Sequence, residues 1–120
     1  MKTLIKISFA IILATGVFAC KNSNHGAVSN AKTIKFMVYG NCEQCQARIE
    51  KALAIEGVAK ANWDVDTKIL TVVYDSVKLK EADLHHAITT VGHDTEKEKA
   101  TDKAYTDLPE CCQYKRVDSR

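Results

Sequence analysis

The hydrophobic period of this chain changes within one short window, and that change constrains the fold more than any other feature. Up to Tyr39 the apolar residues Ile34, Phe36 and Val38 repeat every second position, the spacing of a half-buried strand. From Cys45 onward, Cys45, Ile49, Ala52 and Leu53 repeat at three and four, the spacing of a helix face. Between them lies Gly40-Asn41-Cys42-Glu43-Gln44, so a Cys-x-x-Cys pair sits on a strand-to-helix turn. Backbone N–H groups at such a turn have no helical partners and, with the helix dipole, favour negative charge. A thiol placed there ionises readily, and the thiolate is the form that binds metal or attacks disulfides. Two sulfurs so close select Cu(I), Zn(II) or similar soft ions over Mg or Ca.

The pattern continues as strand, helix, strand, strand, helix, strand. The first strand is expected over Thr33 to Tyr39 and the first helix over Glu43 to Ile55, closed by Gly57. Ala59, Ala61, Trp63 and Val65 then share one face of a strand over Val58 to Val65. Asp66-Thr67-Lys68 is a short polar turn, which returns the strand Ile69 to Asp75 antiparallel as a hairpin. Leu84, Ala87, Ile88 and Val91 mark a second helix over Lys80 to Val91, capped by Gly92. Asp94 to Lys99 is a polar candidate for an edge strand. This is the ferredoxin-like β-α-β-β-α-β order, an α+β fold with a four-stranded antiparallel sheet and two helices on one face. Thr101-Asp102 caps a short tail helix through Leu108, which Pro109 stops.

Residues 1–19 read as a leader: a basic start at Lys2 and Lys6, then an apolar run from Ile7 to Phe18 that is too short for an ordinary membrane span. Val17-Phe18-Ala19-Cys20 resembles a bacterial lipobox, with Phe18 bulkier than usual. That resemblance implies cleavage before Cys20, a lipid on its sulfur, and a protein held on a bacterial envelope membrane facing the periplasm. Residues 20–31, rich in Asn, Ser and Gly, then form the lipidated flexible tether. Without Lys2 and Lys6 the 17 basic residues fall to 15, which balances the 15 acidic ones. A neutral domain without a basic, aromatic-interleaved stripe is no nucleic-acid binder.

Residues 32–99 resemble the heavy-metal-associated domain of copper chaperones, copper-transporting ATPases and the periplasmic mercury-binding protein. The resemblance rests on Gly40-Asn41-Cys42-Glu43-Gln44-Cys45, Gly57-Val58, Leu70-Thr71-Val72-Val73-Tyr74-Asp75, and Leu84 through Ala87-Ile88 to Gly92-His93. It implies a non-enzymatic protein whose Cys42 and Cys45 bind a soft metal ion, with Cu(I) foremost and Hg(II), Zn(II) or Cd(II) as alternatives. The ion would pass by thiolate exchange to a metal-transporting ATPase or efflux system, or be sequestered. Two positions depart from the family pattern: Asn41 stands where a buried Met is usual, and His93 where an aromatic residue or lysine is usual.

Residues 100–120 lie beyond the resemblance and hold Cys111 and Cys112. Both are candidate auxiliary ligands, as is His93, which offers a nitrogen. Four thiolates suit tetrahedral Zn(II), whereas two or three suit Cu(I) or Hg(II). An edge strand over Asp94 to Lys99 would start the tail at the end of the sheet far from Cys42. Helical and extended tail residues together are just long enough to climb back over the metal loop. His85 and His86 are expected at the surface, Trp63 and Tyr74 in the core, and Tyr105 and Leu108 as the docking residues of the tail. Two other readings remain open: a thiol–disulfide oxidoreductase using Cys42 and Cys45, and an interaction module of a metal efflux system.

Overall fold

The computed structural model of the protein describes residues 28–118. The leader and Cys20 lie outside the described residues.

Strand β3 (Ile69–Asp75) is the centre of a three-stranded antiparallel sheet in the order β1-β3-β2. β1 (Ala31–Met37) sets Phe36 opposite Leu70 and Ile34 opposite Val72. β2 (Val58–Trp63) sets Trp63 opposite Leu70 and Ala61 opposite Val72. Helices α1 (Glu43–Ala52) and α2 (Glu81–Thr90) cover the face that carries Phe36, Leu70, Val72 and Tyr74. Ile49 and Leu84 and Ile88 are their fully buried contributions. Each aliphatic side chain removed from water in this way stabilises the fold by about 1.5–3 kcal/mol. The opposite face, with Ile69, Thr71 and Val73, stays half-buried. Trp63 and Tyr74 are core residues, as their alternation implies.

Several boundaries fall short of the hydrophobic pattern, each for a local reason. β2 stops at Trp63 because the next side chain, Asp64, accepts the N–H groups of Asp66 and Thr67 through Oδ1 and turns the chain. α1 stops at Ala52 because Leu53 and Ala54 bond back to the carbonyls of Glu50 and Lys51, three residues away.

The larger correction is the fourth strand. Asp94 to Lys99 forms a single bridge, Val38 opposite Thr95, where Tyr39 N–H reaches the Asp94 carbonyl and Glu96 N–H reaches that of Met37. The ladder ends there because side chains take over its partners. Glu96 Oε2 accepts the N–H of Met37, and Thr95 Oγ1 accepts those of Lys97 and Glu98. These local bonds fold the segment into a turn, as Ser, Thr, Asp and Asn side chains do when they compete with a ladder. Its end returns to its start: Ala100 N–H donates to Asp94 Oδ1 at 2.8 Å. The tail therefore begins near the Cys42 loop, beside Tyr39 and Asp94, and the long climb expected from a full edge strand is unnecessary.

The same turn corrects the placement of His85. It lies over the flank of α2 and buries His85, 2% exposed, against the Phe36 ring at 4.0 Å between centroids, with Nδ1 2.7 Å from Thr95 Oγ1. His86 is exposed, as expected, and meets Glu98.

The tail helix α3 (Asp102–Thr106) is capped by Thr101, whose Oγ1 accepts the N–H of Ala104, and a 3₁₀ turn at Glu110–Cys112 follows Pro109. Gly92 lets this tail dock. Its φ is +100°, and a Cβ there would lie 2.5 Å from the Ala104 carbonyl oxygen and 2.9 Å from Leu108 Cγ. Gly92→Ala is expected to lower stability by about 1–3 kcal/mol through backbone strain and loss of tail packing. Urea unfolding of the two proteins checks this, with an unchanged midpoint as the contrary result.

Candidate metal centre

Cys42 is the residue that begins α1, held in an extended conformation with its sulfur at the helix mouth. Cys45 follows in the first turn, fully buried, and its Sγ accepts the N–H of Asn41 at 3.3 Å. The two sulfurs are 3.8 Å apart. Asn41 is exposed, so the loop has no buried side chain of its own at that position. Its floor is the indole of Trp63, which a Cβ on Gly40 would meet at 3.0 Å and which donates Nε1–H to the Val38 carbonyl at 3.1 Å.

The roof comes from the tail. Tyr114, 3% exposed, donates its hydroxyl to the Gly92 carbonyl at 2.9 Å and accepts the Asp94 N–H at 2.7 Å. Its ring stacks on His93, 5.5 Å between centroids, and meets Tyr105 edge-on at 5.2 Å. Arg116 closes the arrangement with Nε and Nη2 on the two Asp94 carboxylate oxygens at 2.9 and 2.7 Å, and lies 4.9 Å over the Tyr105 ring. Burial pushes the Asp94 carboxyl up, but the Arg116 fork and the Ala100 N–H outweigh that and hold it below its ordinary range.

So anchored, the 3₁₀ turn points Cys112 into the protein. The sulfurs of Cys42, Cys45 and Cys112 all lie within 4.8 Å of one another. With metal–sulfur bonds of about 2.3 Å, a tetrahedral ion separates its sulfurs by about 3.8 Å and a trigonal one by about 4.0 Å. The three side chains are thus able to hold one soft ion between them. Cys111 stands outside the trio, exposed, with its thiol donating to Gln44 Oε1 at 2.9 Å and its sulfur 3.7 Å from that of Cys112. His93 is also outside it. Its Nδ1–H donates to the Tyr39 carbonyl at 2.8 Å, which leaves Nε2 buried without a partner among the described residues.

The thiols are electrostatically unlike. The N–H of Cys45 draws the Cys42 thiol below its ordinary value and, helped by the N–H of Gln44, outweighs the opposing effect of burial. Burial, then the neighbouring sulfurs of Cys45 and Cys111, push the Cys112 thiol up to about 12. Burial also pushes His93 down, with Arg48's charge adding to it, despite the Tyr39 carbonyl. His93 is accordingly neutral near pH 7.

The heavy-metal-associated domain matches residues 36–94, the stretch that holds the paired cysteines and both core helices. Solved structures agree. The N-terminal domain of a potential copper-translocating P-type ATPase from Bacillus subtilis, solved in its Cu(I)-loaded state, is 33% identical. The match covers 54% of this chain and 84% of that one, at a TM-score of 0.52. This chain belongs to the heavy-metal-associated family. The CopZ metallochaperone is 29% identical over 53% of this chain and 98% of its own, with a TM-score of 0.52. Oxidized MerP from Ralstonia metallidurans CH34 is 26% identical over 55% and 94%, with the same score. No curated protein sequence matches the chain.

Beyond the heavy-metal-associated core, Tyr114 and Arg116 are important supports of the site that sequence reasoning passed over, as is Arg48 on α1 within it. Alternation of Cys112, Tyr114 and Arg116 at period two, and the spacing of Arg48 one turn after Cys45, are the signals that could have raised them. If the trio binds an ion as thiolates, Cys112 must give up a proton to do so. The logarithm of affinity should then rise more steeply with pH between 6 and 9 in the natural chain than in Cys112→Ser, by about one proton per ion. Calorimetric titration in buffers of differing ionisation enthalpy counts that proton directly, and equal counts would contradict the involvement of Cys112.

Proposed function

We propose that this protein captures one soft metal ion in a three-sulfur site made by Cys42, Cys45 and Cys112, and that Cu(I) is its first cargo. The convergence of those three sulfurs on one point is the observation that supports this reading most directly. Three sulfurs suit Cu(I) or Hg(II) better than tetrahedral Zn(II) or Cd(II), and copper is placed before mercury because a Cu(I)-loaded ATPase domain is among the similar structures. A fourth sulfur from Cys111 would be needed for a tetrahedral Zn(II) site, and its thiol faces Gln44 instead.

Transfer proceeds by ligand exchange, in which a partner's thiolate joins the ion before one of the protein's own leaves. Cys42 is the accessible sulfur of the trio at which such an exchange begins, whereas Cys45 and Cys112 are fully buried. A third, buried ligand slows release, which favours holding the ion over passing it quickly. The protein on this reading is a scavenger that yields its cargo to a dedicated acceptor, such as a metal-transporting ATPase. Cys20 carries a lipid that keeps it at the envelope membrane, facing the periplasm, with residues 20–31 as tether, 32–99 as the metal domain and 100–120 as its cover.

X-ray absorption of the Cu(I)-loaded protein, prepared without oxygen, is expected to count three sulfurs in the natural chain and two in Cys112→Ser. The Cys42→Ser, Cys45→Ser double variant is expected to lose tight binding while remaining folded. Two sulfurs in the natural chain would overturn the three-sulfur site. Separately, Cys20→Ser is expected to shift the protein from the membrane fraction to the soluble fraction, or to leave an unprocessed precursor. Mass analysis showing an unmodified Cys20 would overturn the anchor.

A further inference from the structure

The sulfur of Cys111 is left over from the three-sulfur site, yet its surroundings are not those of an idle surface thiol. Neighbouring side chains can point apart, but the 3₁₀ turn at Glu110–Cys112 keeps the Cys111 and Cys112 sulfurs 3.7 Å apart. Both are free thiols, one exposed and one buried. The same turn lies over the mouth of α1. The Cys111 thiol donates to Gln44 Oε1 at 2.9 Å, and the Cys111 carbonyl oxygen is 3.5 Å from the Cys42 sulfur. Cys112 therefore has sulfur neighbours on two sides, Cys42 and Cys45 inward and Cys111 outward.

A thiolate that has bound one soft ion keeps lone pairs and can bridge to a second. With metal–sulfur bonds of about 2.3 Å, sulfurs 3.7 Å apart subtend an angle of about 107° at an ion between them. Such an ion would have two ligands and a side open to solvent, because Cys111 is exposed. Charge also favours this use of the fourth sulfur. Three thiolates around one Cu(I) carry two surplus negative charges. Were Cys111 to join that ion as a fourth thiolate, the surplus would rise to three beside two buried sulfurs, which is costly. If Cys111 instead brings its own Cu(I), the surplus stays at two. A second Zn(II) or Cd(II) is poorly served there, since it prefers four ligands and finds two sulfurs.

We propose that Cys111 and Cys112 form a second, outer site for a monovalent soft ion, joined to the inner site through the shared sulfur of Cys112. This rests on the three-sulfur reading above. The inner ion is held by Cys42, Cys45 and Cys112, and the outer one by Cys112 and Cys111. As the outer ion binds, the Cys111 thiol gives its proton to water and its sulfur takes the Cu(I); no electron moves. The open side of the outer ion is where an incoming thiolate attaches, so this ion exchanges faster than the inner one. The chain then holds one ion when copper is scarce and two when it is plentiful.

Anaerobic Cu(I) titration of the reduced full chain tests this, with Cys20→Ser throughout so that its thiol is not counted. Native mass spectrometry is expected to show two Cu(I) per monomer at saturation, and one in Cys111→Ser. By competition with a chromophoric chelator, Cys111→Ser should change the affinity for the first ion by less than about threefold. Cys112→Ser should lower that affinity by about tenfold or more and lose the second ion. Cd(II), read by its thiolate charge-transfer absorption, should stop at one ion with or without Cys111. Two ions on one sulfur lie within about 4.6 Å of each other. X-ray absorption at two equivalents should accordingly show a copper–copper contact that Cys111→Ser lacks.

Saturation at one Cu(I), a second ion that survives Cys111→Ser, or a second ion seen only in paired chains would overturn the proposal. So would a first-ion affinity that falls by about tenfold in Cys111→Ser, which would make Cys111 a fourth ligand of a single ion. The sulfur count at one equivalent is read separately. Three sulfurs there with saturation at one ion would be a failure of the outer site alone. Two sulfurs there would be a failure of the inner site, and of the shared sulfur with it.

Discussion

The carboxylate of Asp94 holds the carboxyl-terminal part of the molecule in place. One oxygen takes the N–H of Ala100 and both take the Arg116 fork, in a position only 3% exposed. A buried carboxylate is tolerated only when its charge and lone pairs are met, and here they are. The consequences run in both directions along the chain. Upstream, the short loop from Asp94 to Ala100 replaces a fourth strand. Downstream, Arg116 pins the chain just past Tyr114, whose hydroxyl joins the Gly92 carbonyl to the Asp94 N–H. Between these fixed points lies the turn that seats Cys112. Its burial thus depends on an ion pair made by other residues.

Two physical environments meet at the sulfurs. The mouth of α1 gives Cys42 donors that favour its thiolate, and the floor of Trp63 and Gly40 keeps the loop tight without a buried loop side chain. The tail gives Cys112 a dry setting that favours its thiol. One sulfur is ready to meet a cation and another is ready only once the cation has arrived. In the proposed cycle this difference orders the events: Cys42 engages first, with Cys45 beside it, and Cys112 yields its proton to complete the site. Release begins at Cys42, the accessible sulfur of the three, and Cys112 regains its proton as the ion leaves.

Local periodicity carried most of the core. The switch of period at Tyr39 to Cys45, the alternation of Leu70, Val72 and Tyr74, and the spacing of Leu84 and Ile88 each belong to one element and are legible alone. What escaped depended on partners distant in sequence. Asp94 to Lys99 has the place of a strand, but Thr95 and Glu96 spend their side chains on the hydrogen bonds a ladder would use. His85 sits beside an apolar column, and only the returning segment covers it. The paired cysteines of the tail were legible as candidates, yet nothing in their adjacency indicated that Cys112 would turn inward and Cys111 outward. That division follows from Tyr114 and Arg116, which act through folded neighbours and leave little local pattern.

The sulfurs of Cys45 and Cys112 come from segments roughly 70 residues apart, and a link closing a loop of that length restricts the unfolded chain by about 4 kcal/mol. An ion shared between them would therefore be a staple as well as a cargo. Loaded, the protein would have its tail riveted to its first helix; empty, it would be held by Asp94, Arg116, Tyr114 and the packing of Leu108 against Gly92. Proteases could then distinguish the two forms by the tail, so that protein lifetime would itself report how much metal is at hand.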